Sequence, residues 1–387
     1  MNRLLSLLLL IAASIGAASA AVTVGAARTG EYVPQLKGKR IALYSNHTGM
    51  VDSTTHTLDV MLREGLNVVT LFSPEHGFRG DADAGEHVSG GVDPLTGVPI
   101  VSLYGSGHKA AMDEAMGNVD VVVVDIQDVG LRYYTYYCTM LELMNSAARH
   151  GKSVMVLDRP NPNGMTVDGP ILDMKYQSGV GRLPIPVVHG MTLGELAQMI
   201  NGEGWLDDKA TVPLTVVPCE GYTHSTRYRL PIAPSPNLRT MRAVYLYPST
   251  CYFEATPVSL GRGTDTPFEV YGHPDMKGYP YTFTPRSVAG AKKPPLLDQE
   301  CHGKLLTDIT DDQAIAMGVN LEYLIDAYNA LGIGDKFFTQ FFEKLIGDPT
   351  IRKKIEQGMS ADEIKQGWAD DVARFKAQRT PYLLYPL

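Results

Sequence analysis

Three stretches of this 387-residue chain run the same way: an apolar β-type segment ends abruptly in charged residues. Residues 67–72 lead into Ser73, Pro74, Glu75, His76, Gly77, Phe78, Arg79 and Gly80. Residues 121–124 lead into Asp125, Gln127, Asp128 and Gly130, then Arg132, Tyr133, Tyr134 and Tyr136. Residues 153–157 lead into Asp158, Arg159, Pro160, Asn161 and Pro162. Short apolar runs alternating with helical patterns build a mainly parallel sheet with helices on both faces. In such an open sheet the carboxyl ends of the strands share one edge, and ligands bind in the crevice there. The pattern therefore predicts an α/β fold that brings Glu75, Asp125 and Asp158 together at one site.

Other segments extend the alternation. Residues 40–44 form a further strand-like run that ends at Ser45, Asn46 and His47. A helix is predicted over about 55–64, with Gly65 just past its end. Another is predicted over 139–150, with Met140, Leu141, Leu143, Met144, Ala147 and Ala148 at helical spacing and Gly151 beyond. Residues 186–190 read as a short strand tipped by His189, and Thr192 with Glu195 forms a capping box opening a helix over 193–201. Between about 211 and 290 the helical period fades among Pro, Gly and Tyr, and helices return over 321–331, 335–346 and 361–377. Length also favours more than one core. The expectation is a parallel-sheet catalytic domain over 21–210 and a smaller α+β domain over 211–387 that closes the active-site cleft.

Arg3 precedes an apolar stretch at 4–13, and Ala18, Ser19 and Ala20 give a small-residue cleavage pattern, the layout of a secretory signal peptide over 1–20. The stretch is too short to span a bilayer. An exported protein, periplasmic or secreted and without membrane insertion, is expected. Cleavage leaves 33 basic against 42 acidic residues, a net of about −9, which argues against nucleic acid as a partner. Cys138, Cys219, Cys251 and Cys301 contain no C-x-x-C pair and form no zinc pattern. Cys138 reads as a small buried hydrophobe, while pairing of Cys219 or Cys251 with Cys301 stays open.

Several motifs carry little. Gly105, Gly107 and Ala110 fit G-x-G-x-x-A, but after the third strand rather than the first, so a tight turn is the better reading and no nucleotide cofactor is expected. His47, His76, His87, His108 and His189 lack every common metal-ligand spacing, so no metal is expected either. No G-x-S-x-G elbow exists, which removes the commonest serine hydrolase of this fold class. Glu75 is different. Glu is a poor cap, Pro74 and Gly77 constrain the backbone around it, and a carboxyl in a partly dry cleft beside Phe72 and Phe78 would have the raised pKa that a general acid needs. The alternative is a loop clasp between Glu75 and Arg79. Tyr133, Tyr134 and Tyr136 can stack on sugar faces, or can be packing.

Taken in order, the 73–80 segment, Asp125 to Arg132, Asp158 to Pro162, His189 to Glu195, Pro234 to Asn237 and Ser259 to Thr264 resemble the successive signatures of the exo-β-N-acetylmuramidases of the NamZ type. The resemblance runs from about Gly25 to Tyr385. It implies a Rossmann-like domain followed by a smaller C-terminal domain, with the active site between them. It also implies removal of terminal N-acetylmuramic acid from the non-reducing end of peptidoglycan fragments. Leu260 stands where some members have Glu, so no carboxylate role carries over to that position.

Glycoside hydrolysis needs two groups flanking the glycosidic oxygen. Glu75 is the expected acid and Asp125 its expected partner, with Asp128 second and His76 beside them. Muramic acid carries a lactyl carboxylate, which Arg132, Arg159 or Arg262 could take in bidentate fashion. His76, His189 and Asn237 are candidates for the acetamido group or a catalytic water. Tyr134, Asp158 and Asn161 complete the expected binding set. Two rivals share these features: a hydrolase of another amino-sugar glycoside, and a cell-wall glycan-binding protein that does no chemistry.

Overall fold

The computed structural model describes residues 22–74, 77–79, 90–103, 105 and 107–387. The expected leader at 1–20 lies outside the described residues, as do Glu75 and His76.

Among the described residues, seven strands form one sheet: β1 (Arg40–Ser45), β2 (Asn67–Ser73), β3 (Gly91–Val92), β4 (Pro99–Ser102), β5 (Val121–Asp125), β6 (Ser153–Leu157) and β7 (Leu214–Val217), in the order β3-β4-β2-β1-β5-β6-β7. Every pairing is parallel except β3 with β4. Leaving out β3, the six parallel strands lie in the chain order 3-2-1-4-5-6, that of the dinucleotide-binding folds. The order reverses between β1 and β5, where Ile41 to Ser45 pair residue for residue with Val121 to Asp125. The valine run of β5 is wholly buried because helices cover both faces, as parallel sheets require. Side chains alternate across the strand: Val122 and Val124 join the core of one face with Tyr44, and Val121 and Val123 join that of the other with Ile41 and Leu43.

Helices α1 (Thr29–Leu36), α2 (Thr57–Arg63), α3 (His108–Met116), α4 (Tyr136–Arg149) and α5 (Leu193–Gly202) connect and cover these strands. The capping box of Thr192 and Glu195 is present at the start of α5. The 186–190 segment is no strand. Val188 makes only isolated bridges to Leu131 and Asp168, so this run lies in the loop layer over the sheet edge. The strand beside β6 is instead β7, which begins at Leu214, beyond the 210 boundary where the composition changes.

The second half holds α6 (Met241–Thr250) and a small antiparallel sheet of β8 (Val270–His273), β9 (Tyr281–Phe283) and β10 (Cys301–Leu305), with β10 central. Helix α6 escapes sequence reading because Pro248 sits in its last turn. The expected 361–377 helix is two, Ala361–Gln366 and Ala369–Arg379, broken at Gly367 and Trp368. Phe253, Phe268, Phe337 and Trp368 belong to the same buried cluster as Tyr44 and Val122, so the two halves meet in continuous apolar packing. No helix among the described residues is long and apolar enough to cross a membrane. All four cysteines are buried and free.

Candidate active site

Two strand tips close on each other at the point where the strand order reverses. After β1, the Thr48 hydroxyl donates to Asn46 Oδ1 at 2.6 Å and accepts from the Gln127 backbone N–H at 3.0 Å. After β5, Asp125 and Asp128 point into the protein. Asp125 is fully buried, and both its oxygens are occupied: Arg159 Nε donates to Oδ1 at 2.7 Å, Arg159 Nη2 to Oδ2 at 3.0 Å, and Thr57 Oγ1 to Oδ2 at 2.5 Å. Arg159 also caps the Met50 carbonyl at 2.9 Å. This closed pair fits Asp125 and Arg159 as a structural tie rather than as a catalytic carboxylate and a substrate cation.

Asp128 has the opposite character. Its Oδ1 accepts the Gly130 N–H at 2.7 Å, while buried Oδ2 has no hydrogen-bond partner. Burial pushes its pKa up from the ordinary carboxylate range to about 7. Its charge bears on Tyr134 and Tyr44, so it lies within electrostatic reach of the tyrosine cluster. His189 is also buried with Nε2 unpartnered, and its Nδ1 accepts the Met191 N–H at 3.2 Å. Burial, aided by the nearby Arg379 cation, lowers its pKa to about 3, so the ring is neutral.

Most of the other expected site residues are committed to the scaffold. Arg132 is fully buried and donates to four backbone carbonyls, those of Pro170, Ile185, Leu345 and Ile346, at 2.7 to 2.9 Å. It ties the two halves together and has no reach to a substrate carboxylate. Asp158 accepts from Thr192 Oγ1 at 2.7 Å, the Gly194 N–H at 2.9 Å and Tyr385 Oη at 2.6 Å. A Cβ at Gly194 would fall 2.8 Å from Asp158 Cγ, so glycine is what lets α5 start against this carboxyl. Asn161 donates to the Met191 carbonyl and accepts from the Asn163 N–H, and Asn237 donates to the Gly290 carbonyl. Arg79, weighed as a clasp for Glu75, donates in bidentate fashion to the buried carboxylate of Asp93.

The open space lies above this edge, in a cleft of about 520 Å³. Tyr133, Tyr134 and Tyr136 form its floor, and residues of the second half, Ser235, Tyr247, Glu254, Arg262 and Phe268, form one wall. Tyr134 Oη donates to the Pro234 carbonyl at 2.8 Å and Tyr133 Oη to the Tyr247 carbonyl at 3.0 Å, so ring and wall are rigidly joined. Arg262 donates to Glu254 at 2.7 Å and lies over the Phe268 ring, 5.1 Å from its centroid. The opposite wall carries His108, Glu142 and Arg182: His108 Nε2 lies 2.8 Å from Glu142 Oε2, and Arg182 pairs with Glu142 Oε1. Of the expected residues, Tyr134 and Arg262 line this cleft, and Asp128, which does not, acts on it through its charge on Tyr134. Glu142, Arg182 and Glu254 were not anticipated; the one available signal was a charged residue at 142 between Leu141 and Leu143, on a helix that is otherwise apolar there. Among the described residues no group of three or more His, Cys, Asp or Glu gathers to hold a metal ion.

The model for the family described as Exo-beta-N-acetylmuramidase NamZ, N-terminal, matches residues 41–242, and its C-terminal counterpart matches residues 245–385. A relative from Bacillus subtilis (strain 168), named peptidoglycan beta-N-acetylmuramidase NamZ, is 39% identical over 373 residues, spanning 92% of this chain and 89% of its own. Two solved structures of DUF1343 family proteins from Bacteroides fragilis NCTC 9343 superpose with TM-scores of 0.88 and 0.80, at 58% and 27% identity. Each covers 94% of this chain and 99% of its own.

Proposed function

We infer from one premise, that the chain belongs to the exo-β-N-acetylmuramidase NamZ family, that it is a glycoside hydrolase releasing terminal N-acetylmuramic acid from the non-reducing end of peptidoglycan fragments. The observation that carries this reading is the pair of family matches laid end to end over residues 41–385, together with a relative named as a peptidoglycan muramidase. The cleft supports it in kind: aromatic rings beside fixed cations suit an acidic sugar.

In this reading Glu75 donates the proton to the leaving glycosidic oxygen. Asp128 replaces Asp125 as its partner, because Asp128 keeps an unpartnered oxygen and a pKa near 7 while Asp125 is closed by Arg159 and Thr57. Arg262 holds the lactyl carboxylate. Glu254 and the Phe268 ring fix one edge of its guanidinium, which leaves the planar fork pre-set for bidentate binding. Neutral His189 and buried Asn237 support the loops behind the site. The substrate is a muropeptide-derived glycan or disaccharide, met outside the cytoplasm after export through the signal at residues 1–20.

The test is hydrolysis of nitrophenyl β-N-acetylmuramide beside nitrophenyl β-N-acetylglucosaminide. Turnover of the muramide alone is expected. Turnover of the glucosaminide at an equal rate would make the chain a hydrolase of a different amino sugar, and turnover of neither would make it a binding protein.

A further inference from the structure

The groove continues past the cleft. A second cavity of about 460 Å³ lies beyond Glu142 and Arg182, and the two spaces share Lys109, Glu142 and Arg182. Helix α4 runs under both. Cys138 and Glu142 line the first, and Glu142, Asn145 and Arg149 line the second. Spacings of four, three and four put these residues on one helix face. Eleven residues at 1.5 Å each make that stripe roughly 16 Å long, the length of a few linked sugar rings. The Asp207 N–H donates to Asn145 Oδ1 at 2.8 Å, and Asp207 lies 3.7 Å from Arg149. Those contacts put Trp205, which also lines the second cavity, at the end away from the cleft.

The lining has the chemistry of a sugar site with a positive bias. Trp205 offers an aromatic ring, and Asn145 and Gln177 offer amides. Three cations, Lys109, Arg149 and Arg182, face two anions, Glu142 and Asp207. Arg149 is shared with Asp113 and Asp207, and Arg182 with Glu142. Lys109 has no ion-pair partner among the described residues and stands at the junction of the two spaces.

We propose that this second cavity is a subsite for the strand on the leaving side of the scissile bond, and that it takes an acidic amino sugar. The proposal rests on the muramidase reading. In an alternating strand, a terminal muramic acid and its neutral neighbour fill the 520 Å³ cleft, and the ring crossing Glu142 and Arg182 is again a muramic acid with its own lactyl carboxylate. Lys109 meets that carboxylate, and Trp205 stacks on the sugars that follow.

The experiment compares kcat/KM for the muramyl disaccharide and the corresponding tetrasaccharide, using the whole protein and the variants Trp205→Ala and Arg149→Ala, with melting temperatures alongside. The wild type should favour the tetrasaccharide by about tenfold or more, equivalent to 1.4 kcal/mol. Each variant should lose most of that advantage while its rate on the disaccharide holds. Exposed Arg149→Ala keeps the test decisive if Trp205→Ala fails to fold. A tetrasaccharide whose inner lactyl carboxylate is converted to an amide should lose the advantage as well. Equal wild-type rates on the two lengths, a parallel loss on both in the variants, or an undiminished preference for the amide would each overturn the proposal. If neither glycan is cleaved, the muramidase reading fails instead, and calorimetric binding of the tetrasaccharide to wild type and Arg149→Ala still decides the subsite.

Discussion

Arg159 grips both carboxylate oxygens of Asp125, Nε to Oδ1 at 2.7 Å and Nη2 to Oδ2 at 3.0 Å, where the sheet order reverses. With the Arg159 side chain 5% and the Asp125 side chain 0% exposed, the pair is cut off from water. Removing one partner of such a pair costs roughly 3–5 kcal/mol, because the other charge is left buried alone. Asp125→Asn is therefore expected to lower the melting temperature by several degrees and to reduce the yield of folded protein. Activity per folded molecule should fall far less than in a catalytic knockout. A fully stable Asp125→Asn protein without activity would return Asp125 to the chemistry.

Glu75→Gln should behave in the reverse way. It keeps the shape and removes the proton, so binding persists while chemistry fails. General acid catalysis is worth about 10²–10⁴-fold, and kcat on the natural disaccharide should drop by that order with a modest change in KM. A nitrophenyl glycoside, which needs little protonation of its leaving group, should suffer less. A folded Glu75→Gln enzyme working within a few-fold of wild type on the disaccharide would move the acid elsewhere.

Asp128 gives a pH signature in two directions. Its folded pKa, about 7, lies above the ordinary 3.8, so the folded protein holds a proton there that the unfolded chain has released. Folding stability contributed by this group therefore falls as pH rises from about 4 to about 7. Asp128→Asn should relieve that loss and raise the melting temperature at pH 8 relative to wild type, by an amount that shrinks on acidification. If ionised Asp128 partners Glu75, the rising limb of kcat/KM near neutrality should vanish in the same variant along with most of the activity. An active variant with an unaltered pH profile would leave Asp128 a buried structural acid.

The scaffold was legible for a physical reason that the site was not. The valines of β5 announce a strand buried on both faces, and Thr192 with Glu195 announces the start of α5, because those signals are local. The shared edge was legible too, since adjacent parallel strands carry Asp125 and Asp158 to the same rim. What each polar residue does there depends on distant partners. Arg132 was a reasonable substrate cation until Leu345 and Ile346, more than 200 residues away, supplied its acceptors. Asp125 was equally reasonable until Arg159 closed on it. The cleft walls at Glu142, Arg182 and Glu254 come from a helix, a loop and a short 3-10 helix that share no motif.

Arg262 tests which cation reads the lactyl group. Lysine keeps the charge and loses the planar fork that Glu254 and Phe268 hold in place. A charge-assisted hydrogen bond is worth about 1.5–3 kcal/mol, so Arg262→Lys should raise KM for muramides by about tenfold or more. Inhibition by a glucosaminide, which has no lactyl carboxylate to lose, should be unaffected, so that the loss is confined to muramides. A uniform loss on both sugars would make Arg262 a wall residue and leave Arg182 as the cation to test.

The last prediction concerns the C-terminal end of the described chain, where the Tyr385 hydroxyl ties it to Asp158, just past β6. Tyr385 Oη donates to Asp158 Oδ2 at 2.6 Å and accepts the Cys219 N–H at 2.9 Å. Burial raises the Asp158 pKa to about 6, while Thr192, Tyr385 and the Gly194 N–H each pull it back down by favouring the ionised form. Tyr385→Phe keeps the ring against Tyr222, removes one of those donors and strands the Cys219 N–H. A hydrogen bond to a buried charged group is worth about 1.5–3 kcal/mol, and the variant should melt several degrees lower at pH 8, where Asp158 is ionised. With a donor gone the folded pKa moves further up, so the ionised carboxyl loses more than the neutral one. Below pH 6 the carboxyl carries its own proton, and the deficit should shrink to that of the stranded Cys219 amide. Activity of the folded fraction should match wild type throughout, since Asp158 faces Thr192 and Gly194 rather than the cleft. Melting curves of both proteins from pH 5 to pH 8 decide it: a gap that stays constant with pH would mean that Tyr385 serves the amide alone.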